Sequence, residues 1–199
     1  MTSNPLQGTP RAAQGFSPLS LDKHEWHPSP LPGQIVFVST ISAQGTVDVA
    51  PKSWVSMAAF AGPVVGFGCN VQHKTFANIC ANGEFAINIP DTRLALRSWD
   101  LASSPRDERL RRSGLHLIAG QQIHVPLVSE CVAHLECRHH QTVAFDGGEV
   151  FLFGTVVAAQ LAKKCTLTDK AAGYRRPDPA CFLHDGTMAG LASPTAVKC

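Results

Sequence analysis

The chain has 199 residues, of which 44% are hydrophobic and 16% charged, and its formal net charge is only +2. That is enough chain to bury a core without disulfides or metals, and too little clustered positive charge to follow a phosphate backbone, so nucleic acid is not expected as a partner. No run reaches the roughly 18 apolar residues of a membrane-spanning helix, and the N-terminus lacks the basic-then-apolar pattern of an export signal. A cytoplasmic protein with no membrane partner is therefore expected.

Residues 1–29 are rich in Pro, Ser, Gly and Gln and read as an extended tail. The pattern changes at Gly33. Gln34 to Ser42 (QIVFVSTIS) is β-branched and bounded by glycines, and Thr46 to Pro51 (TVDVAP) follows a short turn, so the two read as a hairpin. Pro63 to Gly68 is a third strand. Lys74 to Ala81 places Phe76, Ile79 and Cys80 at helical spacing and stops at Asn82-Gly83. Glu84 to Ile89 alternates, with Phe85, Ile87 and Ile89 on one face, as in a half-buried strand.

Asp91 or Thr92 caps a helix whose apolar side is Leu94, Leu96 and Trp99. Pro105 to Leu117 is a second helical or irregular segment, and its mixed-sign stretch Arg106 to Arg112 suits a solvated face. Further strands are expected at Leu127 to Arg138, Gly148 to Gln160, Leu161 to Leu167 and Ala180 to Leu183. The run Glu149 to Ala158 is the most apolar and should lie centrally.

The seven cysteines are odd in number and scattered, which suits reduced thiols rather than a disulfide framework. Cys131, Cys137, His139 and His140 suggest a metal cluster at first sight. On a strand, however, the two cysteines stand about 20 Å apart, too far for one ion, and there is no CxxC pair. No metal is expected. Without βαβ alternation or a glycine-rich fingerprint a Rossmann domain is excluded, and the elements predict a mainly β, split or closed barrel with helical insertions.

Five segments in order carry a resemblance. Residues 30–69 place Thr40, Gly45, Ala50, Pro51, Ser53, Ser56 and Pro63 along a strand, a turn, an Ala-Pro-x-Ser loop and a second strand. Residues 74–90 (KTFANICANGEFAINIP) follow, then Ser113-Gly114-Leu115, Glu130 to Cys137 and Gly148 to Ala158. Together they resemble the flavin-reductase-like FMN-binding split barrels, in particular the flavoredoxin-like branch. The resemblance implies an FMN-binding split-barrel domain over residues 30–190, with a short C-terminal tail at 191–199. It also implies non-covalent FMN, a homodimer, and NADH or NADPH as a transient hydride donor. Free flavin or a partner monooxygenase would take the electrons.

For FMN binding the resemblance points to Pro51, Lys52, Ser53, Trp54 and Ser56 along the flavin and to His73, Lys74, Thr75 and Asn78 near its phosphate. Ser53 and Ser56 are equally well turn hydroxyls, and Trp54 is equally well a core or interface aromatic. The helix opening at Lys74 offers amides and a favourable dipole to an anion. The family has Lys-Asp before its phosphate-binding Thr, whereas this chain has His73-Lys74 before Thr75; Lys74 is the favoured contact, with His73 left open. Asn78 suits a structural brace as well as a ligand contact. Asp48 stands where the family has Asn, and Asp185-Gly186-Thr187-Met188 replaces a Gly-Gly-x-x-Tyr stretch, bringing His184 into consideration. No catalytic side chain is assigned, because the cofactor would carry the hydride chemistry. Alternatives are an FMN-containing electron carrier, an FMN-binding protein that is not a reductase, and a haem protein using His24, His27 or His139-His140.

Overall fold

The computed structural model describes residues 19–22, 25–26, 29–98, 109–165, 177–184 and 187–190. The main sheet holds strands β2 (Val36–Ile41), β3 (Val47–Lys52), β4 (Val55–Ala59), β5 (Val64–Asn70), β6 (Glu84–Ile89), β9 (Ala133–Ala144) and β10 (Glu149–Leu161). Their order is β3-β2-β6-β9-β10-β5-β4, with every neighbouring pair antiparallel. Strands β1 (Gly33–Gln34), β11 (Ala180–His184) and β12 (Thr187–Gly190) form a small second sheet, and β7 (Leu117–Ile118) pairs with β8 (Leu127–Val128). Helices α1 (Lys74–Asn82), α2 (Thr92–Arg97) and α3 (Arg109–Ser113) lie between strands.

One connection decides the architecture. β3 and β4 are the two opposite edges of the seven-stranded sheet, yet only Ser53 and Trp54 separate them. A flat sheet of that order would be about 29 Å across, while three Cα steps bridge at most about 11 Å. The sheet must curl until its edges nearly meet, leaving a split where Ser53 and Trp54 cross. This is a split barrel.

The interior is packed by Val36, Val38, Val65, Phe67, Phe85, Ile87, Cys137 and Leu152, with Ile79 of α1 inserted among them. Phe67 and Phe85 meet edge-on with ring centroids 5.4 Å apart. The opposite face of β2 is also covered. Ile35 and Phe37 belong to a second cluster with Val49, Leu94, Leu115 and Ala180, which explains why this strand reads as a continuous apolar run.

The sequence expectations differ from the structure in several places. β6 is buried on both faces: Ala86 and Asn88 are as inaccessible as Phe85. The Asn88 amide donates to the Phe37 carbonyl and the Ser39 hydroxyl, and its oxygen accepts from Val128 N–H, so a polar side chain sits there fully paired. Asp91 caps α2 through Leu94 N–H, but Leu96 points to solvent and Trp99 lies outside the described residues. Leu127 to Arg138 is not one strand, since Leu127–Val128 and Ala133–Ala144 are separate. Where a strand was expected from Leu161, β10 ends and a short 3-10 turn follows. Val55–Ala59 is a strand that alternation did not reveal.

Among the described residues the cysteines are free thiols and no group of three potential metal ligands forms. Burial pushes the Cys137 thiol up to about 12, and Cys131 higher still. No described helix is long and apolar enough to cross a membrane.

Candidate functional site at the split

The site grows from the Ser53-Trp54 crossing. Pro51 and Lys52 end β3, opposite Phe37 and Val36. A proline is tolerated there because β3 is an edge strand. The Lys52 side chain reaches the start of α1. Its Nζ lies 3.2 Å from His73 Nδ1 and 3.6 Å from Cys69 Sγ. An ammonium only donates, so Nδ1 accepts and the ring proton belongs on Nε2. Asn70 N–H also approaches Nδ1, at 3.4 Å. Strand β3, the end of β5 and the N-cap of α1 thus gather a lysine, an imidazole and a thiol at one point.

His73 is the N-cap of α1 but its side chain makes no capping bond to the helix, and no acidic residue occupies the helix's first turn. The local field there favours an anion. Lys74 is exposed, whereas Thr75 is buried, 1% accessible. Asn78 turns inward and donates to Thr40 Oγ1 at 2.9 Å, bracing α1 against β2. Asp48 lies mid-strand opposite Thr40 and is buried.

On the other side of Lys52 the character changes. A cleft of about 470 Å³ opens beside Ser53, Trp54, Val55 and Ser56, with Phe151 of β10 at its wall. Trp26, Leu31 and Pro32, from the segment ahead of the barrel, line it too, and among the described residues no charged side chain does. The aromatic wall depends on register. Gly68 of β5 pairs with Phe151 and Gly66 with Phe153. A Cβ on Gly68 would stand 2.8 Å from Trp54 Cε3, and one on Gly66 would stand 2.5 Å from Phe151 Cε1. Only bare backbone lets these rings lie so close to the sheet. The Trp54 carbonyl also accepts from Gly68 N–H at 2.9 Å. Ser56, within β4, donates to the neighbouring Met57 carbonyl.

The nine sequence-predicted residues therefore separate into groups. Lys52, His73, Lys74 and Thr75 collect where α1 begins. Ser53, Trp54 and Ser56 line the cleft. Pro51 and Asn78 hold the frame. Sequence reasoning missed Trp26, Cys69 and Phe151. Alternate glycines in PVVGFG were the available signal for a close approach by rings; nothing local pointed to Trp26. His184 ends β11, and Asp185 and Gly186 lie outside the described residues. His24 and His27 also lie outside them. His139 and His140 sit on β9, bonded to Thr142 and Thr155 hydroxyls.

An aromatic cleft with no charged lining among the described residues lies beside a cationic helix start, at the split of a seven-stranded barrel, and the class the fold defines is the split barrels. Residues 29–177 match the family model described as flavin reductase like domain, and the chain belongs to that family. It is 29% identical over 175 residues to the uncharacterized protein YwrF of Bacillus subtilis strain 168, covering 81% of this chain and 84% of that one. Among solved structures it resembles nitrilotriacetate monooxygenase component B from Bacillus cereus. That match has a TM-score of 0.79 and 20% identity, and covers 92% of this chain and 100% of that one. It also resembles flavoredoxin from Methanosarcina acetivorans, with a TM-score of 0.75, 21% identity, and 92% and 95% of the two chains covered.

Proposed function

We propose that the chain holds FMN non-covalently at the split and works as an NADH- or NADPH-dependent flavin reductase, passing electrons to free flavin or a partner monooxygenase. The observation that carries this reading is the polarity of the site. Cationic Lys52, with His73 and the first turn of α1 beside it, stands next to an uncharged aromatic cleft. The residues fit the cofactor. Lys52, His73, Lys74 and Thr75 would hold the phosphate. Ser53, Trp54, Ser56 and Phe151 would face the ring, with Pro51 and Asn78 fixing the two segments that carry them. FMN held there would supply the hydride chemistry, so the protein need only bind, orient and shield it.

A homodimer belongs to the same reading. β4 is a sheet edge, and residues 53–68 contain no charged side chain. Trp54, Met57 and Phe60 on this hairpin are 45%, 50% and 96% exposed. Exposed edges of monomers are usually guarded by charge, so a covering partner suits this one, and a second copy offers the same apolar hairpin by two-fold symmetry. Light scattering is expected to give twice the 21.3 kDa chain mass.

The deciding experiment is anaerobic stopped-flow mixing of the FMN-loaded protein with NADH and, separately, NADPH. Loss of the oxidised-flavin absorption band with either is expected. A protein that retains FMN but reacts with neither is instead an electron carrier of the flavoredoxin kind, the second reading that its fold likeness supports.

A further inference from the structure

The segment ahead of the barrel is held against the site. Gly33 pairs with Phe182 in the small sheet, Ile35 N–H donates to the Ala180 carbonyl, and a Cβ on Gly33 would overlap the Ser53 carbonyl. From that anchor the chain leads back to Trp26, which lines the same cleft as Trp54. The Trp26 indole is half-buried, and its Nε1–H donates to the Ser20 carbonyl at 2.6 Å. Indole has no other donor and no acceptor. With that hydrogen bond spent inside its own segment, Trp26 can offer the cleft only apolar ring surface.

We propose that Trp26 is a ring-contacting residue of the cofactor site, a second indole wall supplied by the N-terminal segment, which makes recognition of the flat ring separable from recognition of the phosphate. The proposal rests on the flavin reading above and deepens it. The described cleft lining is uncharged and has two indoles and a phenyl ring, so it selects a planar, neutral ring system by stacking and burial. The charge needed for the phosphate sits beyond Ser53, on Lys52 and the start of α1. Ring and tail are therefore held by different parts of the chain. The ring half includes a residue that precedes the first strand and belongs to no element of the barrel.

The test uses the full chain and two probes, FMN and riboflavin, which share the ring and differ by the phosphate. Affinities of wild type, Trp26→Ala, Trp26→Phe and Lys52→Ala would be measured by flavin fluorescence, with circular dichroism and Tm as folding controls. Trp26→Ala is expected to weaken both probes by the same factor, about tenfold, in line with the loss of one aromatic stacking partner. Trp26→Phe should recover most of the loss. Lys52→Ala should weaken FMN and leave riboflavin unchanged. A folded Trp26→Ala chain that binds riboflavin as wild type does overturns the role of Trp26 and leaves the flavin reading standing. So does a loss confined to FMN. Wild type that binds neither probe overturns the flavin reading, and the proposal with it. Should alanine unfold the chain, Trp26→Leu keeps apolar volume without the indole and is read in the same way.

Discussion

The two sides of the barrel obey different rules. On the closed side, β6, β9 and β10 pair along their length, with two register shifts between β9 and β10, and Phe67, Phe85 and Leu152 interlock with Ile79 of α1 in an apolar interior. On the split side, two edges are joined by Ser53 and Trp54 alone, large apolar side chains stand in solvent, and Lys52 is directed at a histidine rather than a carboxylate. The first arrangement maximises packing and pays no attention to ligands. The second leaves apolar surface and positive charge unburied, which stability alone does not explain and the proposed flavin would. On that proposal stability and function are segregated on one sheet, and each side can be perturbed by itself.

The largest expected effect lies on the closed side. Phe85 is fully buried against Phe67, and a Cβ on Gly154 would strike its ring. Phe85→Ala removes a phenyl group that nothing can replace and should cost about 3–5 kcal/mol. The urea midpoint should fall steeply, while flavin affinity of the chain that remains folded stays near wild type. A large affinity loss without destabilisation would show that the two sides are not separate.

Next comes Glu136, on β9 and wholly buried. Its carboxylate accepts N–H bonds from Gln121, Gln122 and Ile123 and from the Gln160 amide, at 2.7–3.3 Å. Burial pushes its pKa up, but these hydrogen bonds outweigh burial and hold it below the usual carboxylate value. The stabilisation is therefore present above the unfolded-chain pKa of about 4.3. It is lost as pH falls through the lower folded value. Glu136→Gln should cost about 2–3 kcal/mol near neutral pH and flatten the acid limb of a Tm-against-pH curve. An acid limb identical to wild type would remove Glu136 from the account.

The smallest change tests the split. Gly68→Ala places a methyl group against Trp54, which is exposed enough to move. Stability should change by less than about 1 kcal/mol. FMN affinity should drop about tenfold, which corresponds to about 1.4 kcal/mol. Unchanged affinity would place Trp54 outside the cofactor contact.

Much of this was legible locally. Glycine boundaries, β-branched runs and the Asn82-Gly83 stop located the strands at 34–42, 46–51, 63–68 and 84–89 and helix α1, because each depends on its own backbone preferences. Family resemblance singled out the Lys52-to-Ser56 and His73-to-Thr75 segments for the proposed site, and the fold brings Lys52 to His73. Val55–Ala59 was read as loop because, as an edge strand with one partner, it shows no buried-and-exposed alternation. Leu96 was assigned to the same side as Leu94, but residues two apart on a helix stand about 200° apart, so Leu96 faces solvent while Leu94 and Ala95 enter the core.

By itself the sequence determined the strands at 34–42, 46–51, 63–68 and 84–89, where helix α1 begins and ends, and that positive charge flanks its first turn; these follow from interactions among neighbours in the chain. Only the tertiary structure decided that β3 and β4, consecutive in sequence, become opposite edges of one sheet, that Phe151 meets Gly68, and that Trp26 reaches the cleft beside Trp54. Those depend on curl and register, which are set by packing between residues up to 149 positions apart, as Gly33 and Phe182 are, and leave no periodic trace in any local window.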